Sequence, residues 1–327
     1  MKILKVLIIM LILLILFQFT YALEKTTLRF GDIQAINHPR YIGAVAFSNY
    51  VASKTDGRIN IEIYPLSQLG GVLELFQGVR EGTIDIAISS DAMGARIDKS
   101  FNLFSIPYLN ESPSDMMKII EGPIGKEFEE KLANMGIRVL SWGLSGIRHI
   151  TTNRPVYKVS DMKGFIIRMS TQASRSASFK ALGVTPETSM SLSETYLALQ
   201  QGVIDGQEGP IAQTYTQKFY EVNDYLILTG HEITPVFTIM NERKFQEFSK
   251  EDQKILLEGS KLGSQISDNL LITQESSMLE EMKNKGLKVI TPDNSFMLEL
   301  KDKTKDVILQ IPEAQEYYNM IQKNKNK

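Results

Sequence analysis

Two arginines stand inside apolar, strand-like segments, where a charge needs a specific partner. Arg168 interrupts the run Phe165–Met169, and the alternation of side chains along a strand puts it on the same face as Ile166. Arg148 lies in a similar setting, two residues after Gly146. A buried cation without a partner is very costly, so Arg168 should meet a bound anion, form an internal salt bridge, or reach water at the end of its strand. For Arg148 the alternative to a bound anion is a plain surface position. The planar guanidinium can hold a ligand carboxylate by two parallel hydrogen bonds.

A nucleophilic enzyme is the main competing interpretation. Ser160 and Lys163 form a Ser-x-x-Lys motif, and Ser267–Asn269 matches the second motif of penicillin-recognising enzymes. No Lys-Thr-Gly motif follows, and Ser267 falls inside a predicted helix instead of a loop. The sequence also lacks a Gly-x-Ser-x-Gly elbow, a His-Glu-x-x-His helix and a phosphate-binding loop. We therefore expect no enzyme activity, and an exported serine hydrolase stays as an alternative.

The composition excludes several further classes of protein. The 327 residues include no cysteine, which rules out disulfide scaffolds, cysteine-ligated metal sites and thiol nucleophiles. The 3 histidines are too scattered to suggest a metal site, and we expect no cofactor. A formal net charge of −2 gives no basic surface for nucleic acid.

The N-terminus is typical of an export signal. Lys2 and Lys5 precede the uninterrupted apolar run Val6–Phe17, and the small residue Ala22 follows shortly after. A run of about a dozen apolar residues is too short to span a membrane comfortably but suits a signal-peptide core. We predict that residues 1–22 are a signal peptide cleaved near Ala22 and that the mature protein is periplasmic. An uncleaved anchor is the alternative.

The elements that must position these residues alternate between strands and helices. The first part of the chain predicts strands at Thr27–Phe30, Ile59–Tyr64 and Ile84–Ile88, separated by helices at Pro39–Ser53 and Gly71–Glu81. A βαβαβ order within so short a segment is typical of an α/β domain with a largely parallel sheet.

The later part of the chain predicts longer elements. We expect one helix over Ser114–Asn134, two separate strands at Ile137–Trp142 and Ile147–Thr152, and a turn at Asp205–Pro210. The pattern over Ser249–Asn284 predicts a helix of roughly 50 Å, longer than one domain is wide. Such a helix would bridge two lobes.

Four ordered blocks resemble a known family. Leu192–Glu208, Tyr64–Gly70, Asp161–Arg168 and Gly146–Arg148 closely resemble the DctP-type substrate-binding proteins of the tripartite ATP-independent periplasmic (TRAP) transporters, family 7 of the extracellular solute-binding proteins. The blocks occur in the right order and spacing over nearly all of the mature chain. The resemblance implies an α/β, two-lobed periplasmic binding protein fold with crossing hinge strands and a long helix spanning both lobes. Lobe I would contain residues 23–145 and 235–274, and lobe II residues 146–234 and 275–327.

The resemblance also implies the site. A ligand would lie in the cleft between the lobes, Arg168 would pair with its carboxylate, and Arg148 would be a second cleft arginine. His38 and Ser90 follow the first and third strands, whose carboxyl ends should face the cleft, and we predict that both contact the ligand.

Gly209 departs from the family pattern. It stands where the family often has an asparagine that hydrogen-bonds the ligand, so a bulkier ligand, a water molecule or another donor should take that place. The segment Ile88–Met93 lacks the charged residues of the sialic-acid-binding members, and we do not expect sialic acid as ligand.

The implied function is capture of a small organic acid anion, either a C4-dicarboxylate or a sugar acid. A monomeric receptor would deliver this ligand to the membrane permease subunits of a TRAP transporter. The receptor of an ATP-driven importer is a further alternative.

Overall fold

The computed structural model describes residues 25–325 as a mixed α/β protein built on one nine-stranded sheet. The predicted signal peptide and its cleavage near Ala22 lie outside the described residues. Within the described part of the chain, no helix is both long and apolar enough to cross a membrane.

The first half contains four strands and five helices. They are β1 (Thr26–Gly31), α1 (Pro39–Lys54), β2 (Ile59–Tyr64), α2 (Val72–Glu81), β3 (Ile86–Ser90), α3 (Asp91–Ile97), α4 (Pro113–Ile120), α5 (Pro123–Ala133) and β4 (Ile137–Thr152). A 3₁₀ segment at Lys99–Ser105 connects α3 with the region before α4. The βαβαβ order predicted for the N-terminal part is confirmed.

The second half completes the sheet and adds the long helix. Its elements are β5 (Ile166–Arg168), α6 (Ala173–Ala181), β6 (Thr185–Glu187), α7 (Leu192–Gln200), β7 (Gly206–Pro210), α8 (Ile211–Thr216), β8 (Tyr225–Asn241), α9 (Glu242–Glu247), α10 (Lys250–Asn284), β9 (Lys288–Ile290), α11 (Asn294–Thr304) and α12 (Pro312–Lys325). Three further 3₁₀ segments are Val159–Met162, Phe219–Glu221 and Lys305–Gln310.

Two strands cross from one side of the molecule to the other. The strand order is β2-β1-β3-β8-β4-β7-β5-β6, with β9 on β8. β8 and β4, of 17 and 16 residues, pair antiparallel along nearly their whole length. At one end β8 pairs with β3, and at the other end β4 pairs with β7. The predicted crossing strands are therefore confirmed, with parallel strands flanking them on both sides.

Four predicted elements were wrong in detail. The two strands around Gly143–Gly146 are one continuous β4, and the predicted helix Ser114–Asn134 is broken at Pro123 into α4 and α5. The predicted turn at Asp205–Pro210 is mostly the strand β7. A Cβ at Gly206 would lie 2.1 Å from the carbonyl oxygen of Thr151 on β4, so this glycine permits close pairing of two strands rather than a turn.

The long helix joins hydrophobic clusters on both sides. Leu256 of α10 packs in the cluster that contains Phe47 of α1, and Met278 packs in the cluster that contains Leu226 of β8. The helix has 35 residues, as the sequence led us to expect. The lobe boundaries stay a prediction. Residues 307–321, predicted for lobe II, pack with Phe128 in the cluster that also contains residues of α2 and α5.

Two glycines allow α1 and α10 to touch backbone to backbone. A Cβ on Gly43 would lie 2.3 Å from the carbonyl oxygen of Gly263, and one on Gly263 would lie 2.5 Å from that of Gly43. The neighbouring atoms belong to helix backbones, which cannot swing aside as a flexible side chain can. The contact holds the long helix α10 against α1.

We expect Gly43→Ala to lower the free energy of unfolding by about 1–3 kcal/mol, because the added methyl group must push the two helices apart. Urea unfolding measures the change. Ser53→Ala, on the exposed face of the same helix, is the control and should change stability by less than about 0.5 kcal/mol. Equal stability of Gly43→Ala and the control would contradict the close contact.

Candidate functional site

The ends of β4, β5 and β7 bring the two predicted arginines together with a buried glutamate. β4 and β7 are antiparallel with Ile150 opposite Glu208, and β5 runs parallel to β7 with Arg168 beside Gln207. Register shifts in β4 on both sides of Arg148 interrupt the regular alternation of its side chains.

Arg148 is committed to an internal partner. Its Nε donates to Oε2 of Glu208 at 2.7 Å and its Nη2 donates to Oε1 at 2.8 Å. Both side chains are buried, with Glu208 fully so. Burial alone would raise the pKa of Glu208, but Arg148 and then Arg175 hold it well below the usual range. Arg148 is thus not a surface arginine, because it is buried and has an internal carboxylate partner.

Arg175 of α6 belongs to the same network, and the sequence did not point to it. Its Nε donates to Oε2 of Glu232 on β8 at 3.0 Å and lies 3.7 Å from Oε1 of Glu208. Nη1 donates to Oε1 of Gln172 at 2.6 Å. Arg175 stands in a helix of serines and alanines rather than in an apolar strand, so no interrupted hydrophobic pattern marks it as buried.

Arg168 has no such carboxylate partner in the described part of the chain. Its Nε and Nη2 both donate to the carbonyl oxygen of Met190 at 3.2 Å. Burial lowers the pKa of Arg168 to about 10; Glu208 acts in the opposite direction, while Arg148 and Arg175 lower the pKa further. Arg168 is therefore a largely buried cation in a region where two neighbouring cations repel it. An anion bound at its free edge would relieve both penalties.

His38 and Ser90 lie at the carboxyl ends of strands, as expected. His38 precedes α1, and its Nδ1 accepts a hydrogen bond from the backbone N–H of Arg40 at 3.0 Å. Ser90 is the last residue of β3, is half-buried, and makes no side-chain cap to α3. Contact of either residue with a ligand stays a prediction.

The side chain of Gln213 occupies the space next to Gly209 that a larger residue at position 209 would need. A Cβ on Gly209 would lie 2.6 Å from Nε2 of Gln213, which is buried and donates to Oε1 of Gln207 at 3.3 Å. Gln207 in turn donates to the hydroxyl groups of Thr151 and Thr214. The carboxamide of Gln213 is thus the polar group closest to the position of the family's asparagine.

We expect Gly209→Asn to lower the free energy of unfolding by about 1 kcal/mol, because its Cβ displaces Gln213 from Gln207. Gln213→Ala alone should lower the free energy of unfolding by a similar amount. The double variant Gly209→Asn/Gln213→Ala should lose less stability than the sum of the two single losses. Urea unfolding of the four proteins measures the coupling. Strict additivity would contradict the shared space.

Asp268 of α10 ties the long helix to the crossing strand. Its Oδ1 accepts a hydrogen bond from the backbone N–H of Leu144 at 2.8 Å. Burial raises the pKa of Asp268 to about 6, although the bond from Leu144 and the charge of Arg40 act in the opposite direction. A carboxyl group whose folded-state pKa is raised penalises the fold once it is ionised, so this penalty grows between about pH 4 and pH 6 and persists above.

We expect the stability of Asp268→Asn relative to the unmodified protein to increase by about 2 kcal/mol from pH 4 to pH 8, because asparagine keeps an acceptor for Leu144 and carries no charge. Urea unfolding at pH 4, 6 and 8 measures the trend. Asp224→Asn, at an exposed position, should show no such dependence. A pH-independent difference for Asp268→Asn would refute the raised pKa.

Comparisons with known proteins agree on one family. The family described as bacterial extracellular solute-binding protein, family 7 (DctP), matches residues 30–315. The 2,3-diketo-L-gulonate-binding periplasmic protein YiaO of Escherichia coli is 31% identical over 273 residues, which cover 83% of each chain.

Solved structures agree with this result. A TRAP periplasmic solute-binding protein from Haemophilus influenzae with bound L-gulonate superposes with a TM-score of 0.86 at 28% identity, over 91% of this chain and 99% of that one. One from Sulfurospirillum deleyianum with bound succinate gives a TM-score of 0.87 at 25% identity, with the same coverage. The two-lobed fold and the resemblance seen in the sequence are confirmed.

Proposed function

Since the chain belongs to family 7 of the bacterial extracellular solute-binding proteins, we propose that it captures a small organic acid anion between its two lobes and delivers it to the permease subunits of a TRAP-type secondary transporter. The ligands named for its relatives include diketogulonate, L-gulonate and succinate, and all of them carry a carboxylate. A sugar acid or a C4-dicarboxylate is therefore the ligand class.

The observation that carries this proposal is the cation at Arg168, which forms no ion pair with any residue that the structure describes. Nε and Nη2 face the carbonyl of Met190, and Nη1 and the second hydrogen of Nη2 remain for a ligand carboxylate. A charge-assisted hydrogen bond of this kind contributes about 1.5–3 kcal/mol. Micromolar affinity needs about 8 kcal/mol, so cleft closure and further hydrogen bonds must supply the rest.

Arg148 serves as the second arginine of the cleft in this proposal. Its bonds to Glu208 engage Nε and Nη2, which leaves Nη1 for a ligand oxygen. The pairing with Glu208 fixes the direction of the guanidinium before any ligand arrives, and such preorganisation lowers the entropic cost of binding.

The proposal also includes export of the protein and binding of the ligand without chemical change. Cleavage near Ala22 would release a monomeric periplasmic receptor whose lobe I comprises residues 23–145 and 235–274. The alternative of a serine hydrolase has little support, because Ser160 and Lys163 are both exposed at a 3₁₀ turn. Recovery of the ligand chemically unchanged supports a receptor, whereas labelling by a serine-reactive probe supports the hydrolase. Transport genes encoded beside this one distinguish a TRAP system from an ATP-driven importer.

We expect Arg168→Ala to weaken binding of the cognate organic acid by about 2–5 kcal/mol, because the carboxylate then lacks its charged partner in the closed cleft. Arg168→Lys keeps the charge but loses the two parallel hydrogen bonds, so its affinity should lie between those of Arg168→Ala and the unmodified protein. Calorimetric titration with the acid that most stabilises the mature protein in a thermal-shift screen measures the loss.

Arg243→Ala is the matched control for this experiment, because Arg243 is exposed outside the cleft. Its affinity should equal that of the unmodified protein. Unchanged affinity in Arg168→Ala would show that the carboxylate binds elsewhere.

A further inference from the structure

Five buried side chains around the end of β1 carry polar atoms without a hydrogen-bond partner in the described part of the chain. The atoms are Oδ2 of Asp32, Nε2 and Oε1 of Gln34, Nε2 of His38, Nε of Arg40 and Oγ of Ser89. Each of these residues is less than a tenth exposed, and Asp32, Gln34 and His38 are 1% exposed. Proteins rarely bury polar atoms unpaired. Their concentration in one place points to a partner outside the chain.

The backbone that carries these side chains is held firmly. The N–H of Asp32 donates to the carbonyl of Tyr64 at 2.9 Å, and the carbonyl of Gln34 accepts from Leu66 at 3.0 Å. Oδ1 of Asp32 accepts from the N–H of Gln34 at 3.1 Å. Oδ1 of Asp32 thus accepts a hydrogen bond within the same loop, whereas Oδ2 has no partner among the described residues. The backbone and the carboxyl group of Asp32 are thus fixed in position before a ligand binds, as a binding site requires.

These side chains lie near the arginine network. β1 runs parallel to β3 with Gly31 beside Ala87, so the segment after β1 lies next to Ser89 near the carboxyl end of β3. Burial, and then the nearby charge of Arg148, lower the pKa of Arg40, so the two guanidinium groups lie near each other. The cluster therefore borders the same central region as Arg148. We call these five residues the lobe I wall.

The wall offers both donors and acceptors. Nδ1 of His38 accepts a hydrogen bond from Arg40, and burial lowers the pKa of the ring well below its usual range, so the neutral ring carries its proton on Nε2. His38 and Arg40 thus present donors, Asp32 presents an acceptor, and Gln34 and Ser89 present both. A ligand group that both donates and accepts is needed to satisfy them all.

A second carboxylate does not fit this wall. It can only accept hydrogen bonds, so it would leave Oδ2 of Asp32 and Oε1 of Gln34 unpaired. Arg40 is the one permanent cation among the five residues, and the carboxyl groups of Asp32 and Asp268 already act on it. A second carboxylate would have to compete with Asp32 and Asp268 for the single positive charge of Arg40.

We propose that the lobe I wall binds the hydroxyl groups of a polyhydroxylated monocarboxylate, so that the protein selects sugar acids over C4-dicarboxylates. This inference rests on the proposed receptor function and specifies its ligand class. Hydroxyl groups donate and accept at once, which matches the mixed set of unpaired atoms. Ser89 belongs to this wall, and contact of the neighbouring Ser90 with a ligand stays a prediction.

Calorimetric titration of the mature protein with a panel of five- and six-carbon aldonates and uronates, with succinate and with hexanoate tests the proposal. We expect at least one sugar acid to bind about 100-fold more tightly than succinate, and hexanoate to bind no better than succinate. Gln34→Met keeps the length of the side chain and removes both polar atoms. It should weaken sugar-acid binding about 10-fold or more and change succinate binding by less than about threefold.

Gln77→Met, at an exposed position of α2, is the matched control and should bind every acid normally. Ser89→Ala, with an expected loss of about 5-fold or more for the sugar acid, replaces Gln34→Met if that variant fails to fold. Succinate binding as tightly as every sugar acid, or sugar-acid affinity unchanged in the wall variants, would overturn the inference and leave the receptor function standing. Failure of the unmodified protein to bind any of the acids would overturn the receptor function itself.

Discussion

The buried ion network centred on Glu208 is the interaction on which the middle of the molecule depends. Glu208 on β7 receives two hydrogen bonds from Arg148 on β4 and lies close to Arg175 on α6, which in turn binds Glu232 on β8. Removal of one partner from such a buried pair leaves an uncompensated charge and costs about 3–5 kcal/mol. Four elements are therefore held in one arrangement, and β5 with Arg168 takes its place beside β7.

The same network explains why Arg168 remains available to an anion. Glu208 and Glu232 are already engaged by the two other arginines, so neither carboxylate comes within ion-pair distance of Arg168 among the described residues. With a formal net charge of −2, the chain does not attract anions in general. Recognition of an anion must then be local, and a buried arginine that lacks a carboxylate partner is the local feature suited to it.

Much of the fold followed from the sequence, and the sequence also pointed to Arg168 as the candidate ligand-binding residue. Periodicity predicted the N-terminal βαβαβ unit and the helix α10, and Arg168 stood out because a charge interrupts an apolar strand. Two predictions at glycines were wrong, since Gly143 and Gly146 lie within one long strand and Gly206 permits close pairing of two strands. The partner of Arg148 lies 60 residues away, a separation that no local pattern encodes.

The two sides of the proposed cleft differ in chemistry, and this difference bears on closure. A ligand shifts a two-state equilibrium only by its differential affinity for the two states. A simple carboxylate could satisfy Arg168 on lobe II and would leave the wall around Gln34 and Asp32 unpaired, so it would gain little from closure. A ligand with a carboxylate at one end and hydroxyl groups at the other satisfies both sides only when the lobes meet. In this proposal the lobes close on a ligand that carries both groups, and a simple anion alone does not close them.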